Sequence, residues 1–162
     1  MVPKILIVDD DPDMVELLRL GLTEAGYSTR TAITGKEALQ KAKRFLPDLM
    51  VLDLLLPDMN GFSVCQQLRR NPPTAAIPIL MITVLPGQFP RLVGVEAGAN
   101  AYLNKPFRVE ELVSCVGDLL RQPGVVSEVL AAPRVSSATE AFPAFPVAPP
   151  GPGTFFRLGT RV

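Results

Sequence analysis

The chain has 162 residues, of which 48% are hydrophobic and 20% charged, an ordinary globular composition that fits one domain followed by a tail. Its formal net charge is zero, which argues against binding nucleic acid through a broadly basic surface. Histidine is absent, which excludes a serine–histidine–aspartate triad, histidine-ligated zinc and phosphohistidine chemistry within this chain.

No apolar run approaches the roughly 18 residues that a membrane span needs. The apolar stretch near the N-terminus is too short for a signal peptide and ends in acidic residues. We therefore expect a cytoplasmic protein without a membrane partner.

The first elements are a buried strand, an amphipathic helix and a more polar strand. Lys4–Val8 is a continuous apolar run after its lysine, which predicts a strand. Asp11 is a suitable N-cap and Pro12 suits a first helical turn, so a helix is predicted from here to Gly26. Ser28–Ala32 is more polar, which indicates a strand nearer an edge of the sheet.

A capping box begins the second predicted helix, because Thr34 is followed by Glu37 at the third helical position. Asp48–Asp53 is the next buried strand pattern. Gly61–Arg70 carries apolar residues at helical spacing and predicts the third helix. Pro78–Thr83 predicts the fourth strand.

The last predicted elements are a helix near Phe89–Ala97, a short strand over Asn100–Asn104 and a final helix marked by apolar residues from Val109 to Leu120. We assign residues 1–122 to this domain. Residues 123–162 contain seven prolines and little helical pattern, and they are predicted to form a flexible tail.

Five strands therefore alternate with five helices. Crossovers of this length join parallel strands and are right-handed. The strongest strands are apolar without alternation, as expected when helices cover both faces of the sheet. The predicted architecture is a doubly wound, flavodoxin-like α/β fold with strand order 2-1-3-4-5.

Chemically reactive side chains follow several of the predicted strands. In such a sheet, ligands bind outside the carboxyl ends of the strands, where the strand order reverses. Asp9, Asp10 and Asp53 would meet there, with the Thr83 hydroxyl and the Lys105 ammonium on neighbouring strands. Three clustered carboxylates are costly without a cation, and oxygen ligands alone favour Mg²⁺. The set indicates a metal-assisted phosphoryl site.

These motifs resemble those of response-regulator receiver domains, the phosphoacceptor domains of two-component signalling. The resemblance covers residues 3 to 121 and rests on Asp9-Asp10, on Asp53 within VLDLLLPDMNG, on Thr83 within MIT, and on Lys105-Pro106-Phe107. Each motif alone is weak, but the combination in this strand order is specific.

The resemblance implies a phosphoacceptor and a Mg²⁺ site. Asp53 would form an acyl phosphate. Asp10, Asp53 and the backbone carbonyl of Leu55 would ligate Mg²⁺, and Asp9 would hold a metal-bound water.

The resemblance also implies roles for residues on the fourth and fifth strands. Lys105 would contact the phosphoryl group, and Thr83 would donate a hydrogen bond to it. Tyr102 resembles the switch aromatic that moves inward with Thr83. The Lys105–Pro106 bond would be cis, an isomer that is accessible at low cost only before proline.

The implied function is that of a signalling domain in a phosphorelay rather than an enzyme, although it promotes its own Mg²⁺-dependent phosphorylation and dephosphorylation. The phosphoryl donor would be a sensor histidine kinase or a histidine phosphotransfer protein, and the output a downstream protein target. Direct DNA binding is not expected. A homodimer through the face of the fourth predicted helix, the fifth strand and the fifth predicted helix is a further implication.

Three positions depart from the family pattern. Val84 stands where the family commonly has alanine, glycine or serine, and is expected to slow phosphorylation by small donors. Leu55 and Leu85 occupy positions that tune loss of the phosphoryl group, and neither can orient an attacking water. We therefore expect a long-lived acyl phosphate.

Two other functions remain open on the sequence. A pseudo-receiver would bind partners without being phosphorylated. A phosphatase with an aspartyl nucleophile would use the DxD spacing in Asp9-Asp10-Asp11, but that leaves Asp53 unexplained. A flavin-binding protein is disfavoured, since no Ser/Thr/Gly-rich phosphate loop follows the first strand.

Overall fold

Five parallel strands form one sheet in the computed structural model, which describes residues 1–84 and 96–121. The strands are β1 (Lys4–Val8), β2 (Ser28–Ala32), β3 (Leu49–Asp53), β4 (Ile79–Thr83) and β5 (Ala101–Asn104). Their order in the sheet is β2-β1-β3-β4-β5, and all neighbours are parallel. The predicted fold class and strand order are confirmed.

Three strands begin one residue later than the sequence predicts, at Leu49, Ile79 and Ala101. Pro78 has no N–H to give to the sheet, although its carbonyl accepts from Met50. Asn100 bonds to Ile79 twice: its backbone N–H donates to the Ile79 carbonyl, and its side-chain Oδ1 accepts from the Ile79 N–H, both at 2.9 Å.

Four helices lie within the described residues. They are α1 (Pro12–Glu24), α2 (Gly35–Phe45), α3 (Gly61–Arg70) and α4 (Val109–Arg121). The helix predicted near Phe89–Ala97 falls largely outside the described residues, as do Leu85 and the predicted tail at 123–162. The last helix, predicted as the fifth, is therefore α4 here.

The helix caps agree with the sequence pattern at both predicted starts. The Asp11 side chain accepts from Asp13 N at 3.0 Å at the start of α1. At α2, Glu37 N donates to Thr34 Oγ1 at 3.1 Å. Ile33 N donates to Glu37 Oε2 at 2.9 Å, which completes the capping box.

The core has a layer on each face of the sheet. On one face, β-strand side chains pack against Ala38 and Ala42 of α2 and Val64 of α3. On the other face they pack against Leu18 of α1 and Leu112 of α4. Burial on both faces explains the unbroken apolar runs of the central strands, while the edge strand β2 alternates between exposed and half-buried positions.

Among the helices that the structure describes, none is both long and apolar enough to span a bilayer.

Candidate functional site

The strand register brings the predicted site residues to one edge of the sheet. Val8 of β1 pairs with Leu52 of β3, so the next residues, Asp9 and Asp53, are neighbours where the two strands end. Thr83 of β4 pairs with Asn104 of β5, immediately before Lys105. The carboxyl ends of β1, β3, β4 and β5 thus carry the acidic, hydroxyl and ammonium groups together.

The three aspartates form a compact acidic cluster. One carboxylate oxygen each from Asp9, Asp10 and Asp53 lies within 4.8 Å of the other two. Asp9 is completely buried and Asp53 is 6% exposed, whereas Asp10 is exposed. An all-oxygen donor set with one solvent-facing member fits Mg²⁺, which binds few protein carboxylates and keeps several waters.

Lys105 bridges two members of this acidic cluster. Its Nζ donates to Oδ2 of Asp9 and to Oδ2 of Asp53, both at 2.9 Å. The lysine side chain is only 14% exposed, so these contacts are largely shielded from water. The peptide bond from Lys105 to Pro106 is cis, the isomer that the resemblance implies.

Burial and charge act on the cluster in opposite directions. Burial raises the pKa of Asp9, and repulsion from Asp53 adds to that, against the lowering effects of the Asp11 N–H and of Lys105. Burial alone would lower the pKa of Lys105, but its hydrogen bonds to Asp9 and Asp53 outweigh burial and raise the pKa. The lysine is therefore charged, and it is one ammonium facing three carboxyl groups.

Backbone N–H groups orient two of the carboxylates. Asp9 Oδ1 accepts from Asp11 N at 2.9 Å, and Asp53 Oδ1 accepts from Leu55 N at 3.1 Å. Each carboxylate thus has one oxygen held by local backbone and the other directed to Lys105.

The start of α3 packs closely against the end of β3. Gly61 N donates to Leu54 O at 2.7 Å. A Cβ at Gly61 would lie 2.6 Å from the Asp53 carbonyl oxygen, so a side chain at this position would displace the backbone that carries Asp53. This approach accounts for the glycine in the Asn60-Gly61 pair.

Thr83 and Tyr102 lie on the neighbouring strands. Thr83 is completely buried, and its carbonyl accepts from Lys105 N at 2.7 Å. Tyr102 is half-buried on β5 and packs against the core layer of α2 and α3. Its buried hydroxyl has no hydrogen-bond partner among the described residues, and burial raises its pKa well above the ordinary value.

Two apolar side chains at this edge are exposed. Leu55 follows β3 and is 49% exposed, and Val84 follows β4 and is 57% exposed. Leu85 lies outside the described residues.

One functional candidate was missed by sequence reasoning. The Asp58 carboxylate accepts from Gly35 N at 2.7 Å and from Lys36 N at 2.9 Å, which joins the loop after β3 to the start of α2. Its place in the loop that follows Asp53 was the available signal, but the helix it contacts is 22 residues away.

Comparison with known proteins matches this chain to one family. The family model described as the response regulator receiver domain matches residues 5–117. The DNA-binding dual master transcriptional regulator RpaA of Synechocystis is 46% identical over 74% of this chain and 50% of its own length. The alkaline phosphatase synthesis transcriptional regulatory protein PhoP of Bacillus subtilis is 42% identical over 76% of this chain and 51% of its own length. The chain thus spans about half the length of these curated relatives.

Solved structures show the same fold. A response regulator from Chloroflexus aurantiacus superposes with a TM-score of 0.72 at 43% identity, covering 75% of this chain and all of the other. The chemotaxis response regulator CheY4 of Vibrio cholerae gives a TM-score of 0.71 at 32% identity, covering 74% of this chain and 99% of the other.

Proposed function

The chain belongs to the response regulator receiver domain family, and from that premise we propose that it accepts a phosphoryl group on Asp53 in a two-component phosphorelay. One observation carries the proposal: Lys105 Nζ lies 2.9 Å from Asp53 Oδ2, beside two further carboxylates. A nucleophile, a cationic clamp and an acidic metal-binding group are the parts that phosphoryl transfer requires.

The donor in this proposal is the phosphohistidine of a sensor histidine kinase or of a histidine phosphotransfer protein. A carboxylate oxygen of Asp53 attacks phosphorus, the bond from phosphorus to the imidazole nitrogen breaks, and its electron pair stays on the imidazole. Lys105 then donates to a phosphoryl oxygen. The Thr83 hydroxyl supplies a second hydrogen bond, and Tyr102 follows it inward.

Asp10, Asp53 and the Leu55 carbonyl would hold Mg²⁺ in this proposal, and Asp9 would hold a water of the ion. The bound ion supplies charge neutralisation for the carboxylates and the phosphoryl oxygens. The chain contributes the fixed oxygens, since Asp9 and Asp53 are each held by a backbone N–H.

The domain boundary and the output are proposals as well. We assign residues 1–122 to the receiver domain and 123–162 to a flexible tail. The output we propose is a change in a protein-contact surface. A homodimer would form through the face of the helix predicted near Phe89–Ala97, β5 and α4. The curated relatives named above are transcriptional regulators about twice as long as the matched region.

A phosphorylation assay with acetyl phosphate tests the function. The purified chain is incubated with and without Mg²⁺, and its intact mass is compared with that of Asp53→Asn. We expect a gain of one phosphate that requires Mg²⁺ and is lost in the variant. No gain in the wild type would favour the pseudo-receiver, and an equal gain in Asp53→Asn would move the phosphoacceptor elsewhere.

A further inference from the structure

The Asp58 carboxylate ties the loop after β3 to the first turn of α2. It accepts from Gly35 N at 2.7 Å and from Lys36 N at 2.9 Å. The first N–H groups of a helix have no partner within the helix. They also lie at the positive end of the helix dipole, which favours a nearby anion. Asp58 therefore satisfies two N–H groups on an element remote from its own loop.

The neighbouring side chain makes a second contact between the same loop and the same helix. Met59 packs over Gly35, where a Cβ would lie 2.4 Å from Met59 Cγ. Met59 is also partly buried against the core layer of α2 and α3. The loop is thus held to α2 by a charged contact and an apolar one.

The base of this loop leads directly to the phosphoryl site. Leu55 N donates to Asp53 Oδ1 at 3.1 Å, and Leu55 forms an isolated antiparallel bridge with Asn60. Gly61 N closes the loop by donating to Leu54 O at 2.7 Å. Leu55 and Asp58 therefore lie in one closed loop, with Leu55 at its base and Asp58 towards its tip.

We propose that Asp58 is a positioning residue for Mg²⁺ binding: by tying the tip of this loop to α2, it fixes the backbone carbonyl of Leu55 for the metal. The inference rests on the proposed function, because it takes the Leu55 carbonyl as a ligand. Asp58 itself is not part of the acidic cluster, which consists of Asp9, Asp10 and Asp53 among the described residues.

The contact affects metal binding more than folding. When the exposed Asp58 carboxylate is removed, water can reach the freed N–H groups of α2, and Thr34 still caps the helix. The loop, however, loses its charged attachment and gains conformational freedom, which binding the metal must then remove. Removing a group that positions a metal ligand without binding the metal itself typically lowers metal affinity by about 10-fold to 100-fold.

The test measures Mg²⁺ affinity directly, by titrating the metal without a phosphodonor, and then measures how the rate of phosphorylation by acetyl phosphate depends on Mg²⁺ concentration. For Asp58→Ala we expect the half-saturating Mg²⁺ concentration to rise roughly 10-fold, with the maximal rate at saturating Mg²⁺ within about twofold of wild type. Asp58→Asn retains one acceptor oxygen, so its half-saturating Mg²⁺ concentration is expected to lie between those of wild type and Asp58→Ala. A general loss of stability would not produce this separation between half-saturation and maximal rate.

Asp48→Ala is the matched control. Asp48 Oδ2 accepts from Lys4 N at 2.7 Å, a contact between an aspartate and a backbone N–H at the opposite edge of the sheet. Its half-saturating concentration is expected to equal that of wild type.

Salt separates positioning from simple loss of charge. Because Asp58 is exposed, a pure charge effect is screened at about 1 M salt, where the Debye length is roughly 3 Å. We expect the half-saturating Mg²⁺ concentration of Asp58→Ala to remain higher than that of wild type by the same factor at this salt concentration. A ratio that falls to one in high salt, or an unchanged half-saturating concentration in Asp58→Ala, would overturn the inference alone. A wild-type chain with no Mg²⁺-dependent phosphorylation would overturn the proposed function as well.

Discussion

Lys105 Nζ and Asp53 Oδ2 lie 2.9 Å apart, although 52 residues separate them in the chain. The contact joins the carboxyl end of β5 to that of β3 across the end of β4. Both side chains are largely buried, with exposures of 14% and 9%. A short, shielded contact between an ammonium and the proposed phosphoacceptor gives the site a cation that can transfer its hydrogen bond to an incoming phosphoryl oxygen.

Replacing this cation is expected to weaken the metal-free fold and strengthen Mg²⁺ binding. Lys105→Met leaves Asp9 and Asp53 without their shared partner, which should cost about 3 kcal/mol of unfolding free energy without metal. Removing a positive charge near the metal should tighten Mg²⁺ binding roughly 10-fold. Denaturant unfolding and Mg²⁺ titration check the two effects.

Lys41→Met is the control for Lys105→Met. Lys41 pairs with Glu37 on the surface of α2 and is 39% exposed. Lys41→Met should leave Mg²⁺ affinity unchanged. If Lys105→Met binds Mg²⁺ more weakly than wild type, the lysine does not compete electrostatically with the metal.

Val84 is expected to restrict access of small phosphodonors to Asp53. Val84→Ala removes two methyl groups beside the site and should speed phosphorylation by acetyl phosphate several-fold. Val2→Ala is a matched control, because both valines are 57% exposed and Val2 lies at the other edge of the sheet. Initial rates at saturating Mg²⁺ measure the effect, and equal rates for Val84→Ala and wild type would reject it.

Leu55 is expected to prolong the acyl phosphate. Its side chain is 49% exposed and cannot hydrogen-bond an attacking water. In Leu55→Asn, an amide takes its place and should shorten the phosphoryl lifetime several-fold. Leu20→Asn is the control, because it changes a leucine of similar exposure on α1, and it should leave the phosphoryl lifetime unchanged. Decay of the phosphorylated mass after donor removal provides the lifetimes, and a wild-type half-life of seconds would contradict the expectation.

The stability contributed by Asp58 should depend on pH. Hydrogen bonds from Lys36 N and Gly35 N lower its pKa below the ordinary 3.8. A lowered folded-state pKa gives stability that is present above the unfolded value and lost as pH falls through the folded value. In metal-free buffer, Asp58→Asn should be less stable than wild type at neutral pH, with a gap that narrows in acid. Urea unfolding at a series of pH values measures the gap, and a gap that stays constant would contradict the assigned contacts.

The strand order and the edge that carries the site were predictable, because both follow from local patterns. Lys4–Val8 is apolar after its lysine, which indicates a strand buried on both faces, and that in turn implies helices on both sides. Once parallel order is assumed, Asp9 and Asp53 must end neighbouring strands, and the register confirms their proximity.

Contacts between distant loops were not predictable. The pair of Asp58 with Gly35 depends on how α2 and the β3–α3 loop are placed in three dimensions, and neither residue departs from ordinary turn and helix-start composition. Strand starts were also misplaced by one residue, because the apolar pattern does not show where regular pairing begins. Asn100, for example, bonds to Ile79 through both its backbone N–H and its side-chain oxygen.

The most direct test of the account is to map the acyl phosphate to its residue. The chain is phosphorylated with acetyl phosphate and Mg²⁺ and then treated with borohydride, which reduces an aspartyl phosphate to homoserine. The digested peptides are sequenced by mass spectrometry. The account predicts homoserine at position 53, only when Mg²⁺ was present. Homoserine at position 9 or 10 instead, or no conversion at Asp53 in a chain that gained phosphate, would contradict it.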